Sequence, residues 1–161
     1  MTVTYNTVGV VGAGAMGRGI AQIAAQAGST VKLHDTQPPA VAKAQAELFG
    51  QWDRLAEKGR MDAAAVQACK QRLQACDSLQ ALADCDLVIE AVVERLDVKK
   101  ALFAELEGIV KPHAVLVTNT SSLSVTAIAA GLRRPGQFAG YHFFNPVPLM
   151  KVVEVIAGLK T

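Results

Sequence analysis

The chain has 161 residues, near the usual size of one domain and long enough to bury a core. Apolar residues make up 51% and charged residues 19%, a globular composition that excludes a disordered chain. The formal charge of +2 is small and the Lys and Arg residues are scattered, which argues against a nucleic-acid surface.

In chain order, Val8–Val11 is a β-branched run that ends at Gly12 and reads as a fully buried parallel strand. Ala15–Ala27 reads as a helix stopped by Gly28, and Thr30–His34 as a second strand with Asp35 at its end. Pro38-Pro39 suits a first helical turn, where a missing N–H costs nothing. A helix is predicted from Ala40 to about Lys58, and Gly59 breaks it. A second runs from about Asp62, a plausible cap, to Gln74. This pair is longer than a crossover needs and is expected to form a helical arm, about 40–75, that reaches beyond the sheet.

Asp86–Glu90 is a buried strand, Leu96–Val110 a helix with one apolar side, and Ala114–Thr118 a strand leading into the polar turn Asn119-Thr120-Ser121-Ser122. Ser124 can cap a short helix through Ala130. Phe138–Phe143 and Val152–Ile156 are the last strands. Alternating strands and helices with short turns predict an α/β fold, a doubly wound parallel sheet whose βα turns line up along one ligand-binding edge.

Cys69, Cys76 and Cys85 form no C-x-x-C pair and no metal pattern with the histidines. They read as free thiols, small and buried, in a reducing compartment. No apolar run approaches the about 20 residues of a membrane span. The N-terminal stretch MTVTYNTVGVVGAG lacks a basic n-region. The expected setting is cytoplasmic, with neither nucleic acid nor membrane as partner.

Gly12-Ala13-Gly14-Ala15-Met16-Gly17 is a G-x-G-x-x-G between a strand and a helix. Gly12 permits the tight turn, Gly14 lets the backbone approach a pyrophosphate, and Gly17 lets helix and strand pack closely. Free N–H groups at the helix start would hold the phosphates. Asp35 follows Gly17 by 18 residues and is expected to accept hydrogen bonds from the adenine ribose. Its charge would repel a 2′-phosphate, and neither Thr36 nor Gln37 offsets that. NAD is therefore expected over NADP.

Glycine turns say that a nucleotide binds and leave the reaction open. Tyr141-His142-Phe143-Phe144-Asn145-Pro146 puts a histidine and an asparagine at a strand end, where the nicotinamide end of the cofactor would lie. Glu154 follows within Val152-Val153-Glu154-Val155-Ile156, and a carboxylate among β-branched residues is costly unless partnered. A nearby histidine would be such a partner, and the carboxylate would hold the ring's tautomer in return. Taken singly, the histidine could be structural, Glu154 could face solvent from an edge strand, and Ser121 could be an ordinary turn residue.

In combination, Val8–Gly17, Ile89–Glu94, Thr118–Ser122, Gly140–Pro146 and Val152–Ile156 resemble the 3-hydroxyacyl-CoA dehydrogenase family along essentially the whole chain. It looks most like the bacterial members that act on 3-hydroxybutyryl-CoA or on degradation intermediates at the same oxidation level. The resemblance implies a Rossmann-type NAD-binding domain over 1–161 and an NAD-dependent oxidoreductase that converts (S)-3-hydroxyacyl-CoA to 3-oxoacyl-CoA in fatty acid β-oxidation. By the same resemblance, His142 is the base that takes the proton of the 3-hydroxyl and Glu154 the acid that pairs with it. Ser121 is the hydroxyl on the reacting oxygen, and Asn145 stands near the nicotinamide. Gly12, Gly14, Ala15, Met16, Gly17, Asp35, Ala91, Glu94, Lys99, Ser121 and Asn145 are implied as cofactor contacts. Lys58, in the arm segment Glu57–Arg60, is a candidate for the CoA phosphates. Family members continue into a helical domain that completes the acyl-CoA pocket and forms the homodimer, so the chain is expected to be a truncated piece. Two alternatives stay open: a dehydrogenase of a free hydroxy acid or sugar acid, and a dinucleotide-binding module without catalysis.

Overall fold

The computed structural model describes residues 5–161. Residues 1–4, the start of the N-terminal stretch considered above, lie outside them. Seven strands form one sheet in the order β3-β2-β1-β4-β5-β6-β7, with β1 to β6 mutually parallel and β7 antiparallel at the edge. Their spans are β1 Thr7–Val11, β2 Thr30–His34, β3 Leu73–Cys76, β4 Leu87–Glu90, β5 Val115–Thr118, β6 Phe138–Phe143 and β7 Val153–Ala157. The helices are α1 Ala15–Gln26, α2 Pro38–Glu57, α3 Ala63–Arg72, α4 Leu96–Ile109 and α5 Val125–Ala129. The chain winds outward from β1 to β3, then crosses to β4 on the other side of β1. This reversal opens a crevice between the C-terminal ends of β1 and β4, where such sheets bind ligands.

Both faces of the sheet are covered, which is why the central strands read as continuous apolar runs. On one face Val8, Val10 and Leu33 pack with Ile20 of α1, Leu48 and Trp52 of α2, and Val66 of α3. On the other, Val11, Val88 and Leu116 pack with Phe103 and Leu106 of α4 and Ile128 of α5. Phe103 meets Phe138 edge to face, ring centroids 4.7 Å apart. Each such fully buried large side chain contributes about 1.5–3 kcal/mol through area removed from water.

Local chemistry sets the helix ends. Gly28, at φ +105°, closes α1 while Gly28 and Ser29 return their N–H groups to Ala25 and Ala24. Pro38-Pro39 opens α2, Gly59 at φ +68° follows its end, and Ser124 caps α5 by accepting the Ala127 N–H at 3.1 Å.

One feature departs from the sequence expectation. The residues after α3 leave the helical path: Leu73 is extended, and Leu73–Cys76 pairs with β2 as a parallel edge strand. Pairing with an available neighbour outweighs a helical composition in so short a segment. The α2–α3 pair also packs on the sheet, burying Val41, Ala44, Leu48, Trp52, Val66 and Cys69. What stands exposed is its tip around Glu57–Arg60. Among the cysteines, Cys69 and Cys85 are buried and Cys76 partly exposed, all free. Burial pushes the Cys85 thiol up to about 12, so it stays protonated and inert. Among the described residues no helix is long and apolar enough to cross a membrane, and no cluster of acids, histidines and cysteines could hold a metal.

Candidate active site

The glycine turn is built by exclusion. A Cβ on Gly17 would stand 1.7 Å from the carbonyl oxygen of Gly12, so α1 could not sit this close to the turn with any other residue there. Gly12 has φ +107°, and a Cβ there would meet the Ala91 carbonyl oxygen at 2.4 Å, across the crevice to β4. Gly14 differs: nothing lies within 4 Å of its would-be Cβ. The space over Gly14 is free for a ligand to approach the backbone.

Beside the turn runs a cleft of about 770 Å³ lined by Gly12–Ala15, Asp35, Ala91 and Val92. One carboxylate oxygen of Asp35 accepts the Ala13 N–H at 2.8 Å, and the other the Gln37 N–H at 2.9 Å. Asp35 therefore locks the turn after β1 to the turn after β2, with lone pairs left on each oxygen for hydroxyl donors. A dinucleotide fits this arrangement on three independent grounds: the open backbone at Gly14, the free N–H groups at the start of α1, and a fixed carboxylate beyond them. His34 also lines this cleft, its Nδ1 3.0 Å from the Cys76 carbonyl oxygen, and sequence reasoning missed it. Lys43 on α2 lines it too, a cation farther along the chain than Thr36 and Gln37.

A second recess, about 380 Å³, lies across β4 and brings together Met16, Ala91, Glu94, Lys99, Ser121, His142 and Asn145. His142 belongs to β6 and Glu154 to β7, and the antiparallel register sets them opposite each other. The imidazole Nδ1 stands 2.9 Å from Glu154 Oε2. A carboxylate only accepts, so Nδ1 carries a proton and, in the neutral ring, Nε2 is the free acceptor. The His142 side chain is 22% exposed and that of Glu154 56%, so the acid has a partner and also faces solvent. The Phe144 ring, its centroid 4.7 Å from that of His142, restricts the imidazole from the side. Ser121 and Asn145 are exposed at the rim.

Beneath this recess is a polar network of which the sequence reading named only Glu94 and Lys99, as cofactor contacts, and passed over the centre, Glu90. Glu90 is fully buried at the end of β4. It accepts the Val92 N–H at 2.6 Å, the Lys99 ammonium at 2.5 Å and the Thr118 hydroxyl at 2.7 Å. Lys99 also lies 3.3 Å from Glu94, and the Thr120 hydroxyl donates to Glu94. Burial opposes ionisation of Glu94, but the Thr120 hydroxyl and the Lys99 charge prevail and hold its pKa below the ordinary value. Asn119 accepts the Phe143 N–H at 3.0 Å through Oδ1, joining the β5 turn to the end of the histidine strand. A signal was available. Lys99 shares the apolar side of α4 with Phe103 and Leu106, and Glu90 ends the apolar run Leu87–Ile89, each a charge that needs a partner.

A third cleft, about 390 Å³, lies between α1, the outer part of α2 and the loop Asn145–Leu149. Arg18, Arg54 and Lys58 line it, and Arg18 is paired with Glu47. Lys58 thus stands in a cleft that also holds Asn145, whereas Arg18 and Arg54 were not singled out from sequence.

Fold, glycine turn and fixed acid define a dinucleotide-binding domain. Residues 7–161 match the family model described as 3-hydroxyacyl-CoA dehydrogenase, NAD binding domain. The chain belongs to the 3-hydroxyacyl-CoA dehydrogenase family, a family of oxidoreductases, and it is the NAD-binding part. It is 45% identical to 3-hydroxyadipyl-CoA dehydrogenase of Escherichia coli K12 over 161 residues, all of this chain and 34% of that protein. It is 44% identical to 3-hydroxybutyryl-CoA dehydrogenase of Bradyrhizobium diazoefficiens, covering all of this chain and 55% of the relative. The crystal structure of (S)-3-hydroxybutyryl-CoA dehydrogenase from Ralstonia eutropha superposes with a TM-score of 0.93 at 41% identity, over 98% of this chain and 56% of that one. The chain spans between a third and just over half the length of these relatives.

Proposed function

We propose that the whole protein oxidises (S)-3-hydroxyacyl-CoA to 3-oxoacyl-CoA, with this chain supplying the cofactor site and the proton-transfer pair. The observation that carries the reading is the His142–Glu154 pair at 2.9 Å, beside Ser121 and Asn145 and across β4 from the glycine turn. A bound NAD would supply the hydride acceptor for C3 of the substrate, or in its reduced form the donor for the reverse direction. His142 Nε2 accepts the proton of the 3-hydroxyl, and in reverse the protonated ring gives it back. Glu154 fixes the tautomer through Nδ1 and stabilises the imidazolium. The Ser121 hydroxyl orients the reacting oxygen. Gly12, Gly14, Ala15, Met16 and Gly17 cradle the pyrophosphate, Asp35 holds the adenine ribose, and Ala91, Glu94, Lys99 and Asn145 border the nicotinamide half.

Support for a CoA ester over a free acid comes from the cleft lined by Arg18, Arg54 and Lys58, since cations beside the recess suit a phosphate-bearing carrier. The names of the relatives differ in acyl group, and the proposal stops at the 3-hydroxyacyl class, with β-oxidation-type degradation as its setting and the cytoplasm as its compartment. We also infer that the whole protein is a homodimer through the segment by which relatives exceed this chain. Leu149, Met150, Val152, Val153, Val155 and Leu159 stand exposed around β7, an apolar row suited to being covered.

The test is NADH oxidation with acetoacetyl-CoA, by this chain and by a chimera that adds the remaining length of the Ralstonia relative. Turnover in the chimera that falls about 10²–10⁴-fold in His142→Ala supports the reading. Turnover that survives that substitution sinks the role of His142. Activity with free 3-hydroxybutyrate and none with the CoA ester would select the free-acid alternative.

A further inference from the structure

Glu90 takes no part in proton transfer, is 0% exposed, and still makes three hydrogen bonds as an acceptor. Its partners come from three places: the Val92 N–H in the turn after β4, the Lys99 ammonium in the first turns of α4, and the Thr118 hydroxyl at the end of β5. We propose that Glu90 is a positioning residue for the nicotinamide half of the bound dinucleotide, clamping the β4–α4 and β5–α5 turns together from below.

The rest of the network shows how the clamp reaches the surface of the recess. Lys99, held by Glu90, holds Glu94 in turn at 3.3 Å. Glu94 accepts from the Thr120 hydroxyl, and that oxygen takes the Leu123 N–H at 2.9 Å. The backbone of Glu90 contributes too, its carbonyl accepting the Asn119 N–H at 2.9 Å. Ser121 lies between Thr120 and Leu123, so the turn that carries it is tied at both ends to side chains that depend on Glu90. Glu94, Lys99, Asn119 and Ser121 all line the recess that His142 enters. The hydrogen bonds of Asp35 and of the Gly12 N–H run to Ala13, Gln37 and His34 and to no side chain of this network, and the glycine turn meets it only through the Ala91–Val92 backbone beside Gly12.

The clamp requires a carboxylate. Three donors converge on Glu90, and an ionised carboxylate accepts all of them through two oxygens. A glutamine there can keep one oxygen on the Val92 N–H and Lys99 and turn its amide N–H groups to the Thr118 hydroxyl, which can accept; what it gives up is the negative charge opposite the buried Lys99 ammonium. Neutral substitution should thus loosen the nicotinamide side and leave the adenosine side intact.

The test compares Glu90→Gln with the unaltered chain in binding two ligands: NADH, followed by fluorescence, and ADP, followed by calorimetry. ADP carries adenosine and diphosphate and no nicotinamide riboside. The expected result is an NADH Kd raised about tenfold, with the ADP Kd within about twofold. Unchanged NADH affinity overturns the proposal, and so does an equal loss for both ligands, which is what general destabilisation would give. Should Glu90→Gln fail to fold, Thr118→Val removes one of the three donors. It is expected to weaken NADH about threefold and ADP not at all, and equal effects on the two ligands would overturn the proposal there as well. The inference rests on NAD binding alone, so failure of the acyl-CoA assay leaves it standing and its own failure leaves that assay untouched.

Discussion

The two ends of the cofactor crevice are made of different materials. At the end proposed for adenosine and pyrophosphate, from β1 to Asp35, the groups presented are main-chain N–H groups and bare glycine backbone, fixed by one carboxylate. At the other end they are side chains: His142, Glu154, Ser121, Glu94 and Lys99, drawn from four separate stretches and braced by a buried ion pair. Backbone sites are contiguous in the chain and fail through steric exclusion. Side-chain sites are assembled over long sequence separations and fail through loss of a partner.

The largest effect should therefore come from breaking a buried pair. Lys99→Met leaves Glu90 buried with two neutral donors and no counter-charge, and should lower stability by about 3–5 kcal/mol, read by urea unfolding. A loss under about 1 kcal/mol would mean that water or rearrangement supplies the missing charge, and would erase the contrast. On the backbone side, Gly17→Ala puts a Cβ where the Gly12 carbonyl oxygen stands, at 1.7 Å, and should cost about 2–4 kcal/mol together with NADH binding. Gly14→Ala sharpens the comparison, because its Cβ meets nothing. Thermal stability should hold while NADH affinity falls, and a drop in melting temperature matching that of Gly17→Ala would show that the open space over Gly14 has been misread.

This division explains what was legible. Gly12, Gly14, Gly17 and Asp35 could be read in advance because a turn, a helix start and a strand end are local facts, each with one residue type that satisfies it. His142 and Glu154 were readable as a combination, and their pairing depends on an antiparallel register that no local pattern encodes. Glu90 escaped although the cost of a buried carboxylate was weighed for Glu154. Its partners Lys99 and Thr118 lie 9 and 28 residues away, and the burial that makes them matter comes from packing of α4 on the sheet. The strand Leu73–Cys76 was hidden for a related reason: its identity comes from the free edge of β2. The depth to which the helical arm packs was not legible, because Trp52 and Leu48 read equally well as one side of a free helix and as core.

Intermediate in size is the expected effect at Asp35. Asp35→Asn retains an acceptor for Ala13 or Gln37 and gives up the charge, so stability should change little. NADH affinity should fall about tenfold while NADPH affinity holds or rises, as direct titration of both would show. Parallel loss for the two cofactors would mean that the carboxylate fixes the turn and does not discriminate.

The smallest effect lies at the opposite edge of the sheet and serves as the control for both ends. Asp86 precedes β4 and accepts from the Thr7 N–H at 3.0 Å, the Asn6 N–H at 3.1 Å and Lys111 at 2.6 Å, tying the starts of β1 and β4 to the end of α4. Lys111 foremost, then the Thr7 N–H, holds its pKa below the ordinary aspartate value. With the folded pKa depressed, its contribution is complete above the unfolded value and fades as pH falls through the folded one. The side chain is 25% exposed, so screening limits the contribution to about 1 kcal/mol or less. Asp86→Asn should melt slightly below the unaltered chain at neutral pH and together with it in strong acid, with NADH affinity unchanged. A change in affinity would mean that the far edge of the sheet is coupled to the crevice, and that neither end of the site is as local as its hydrogen bonds suggest.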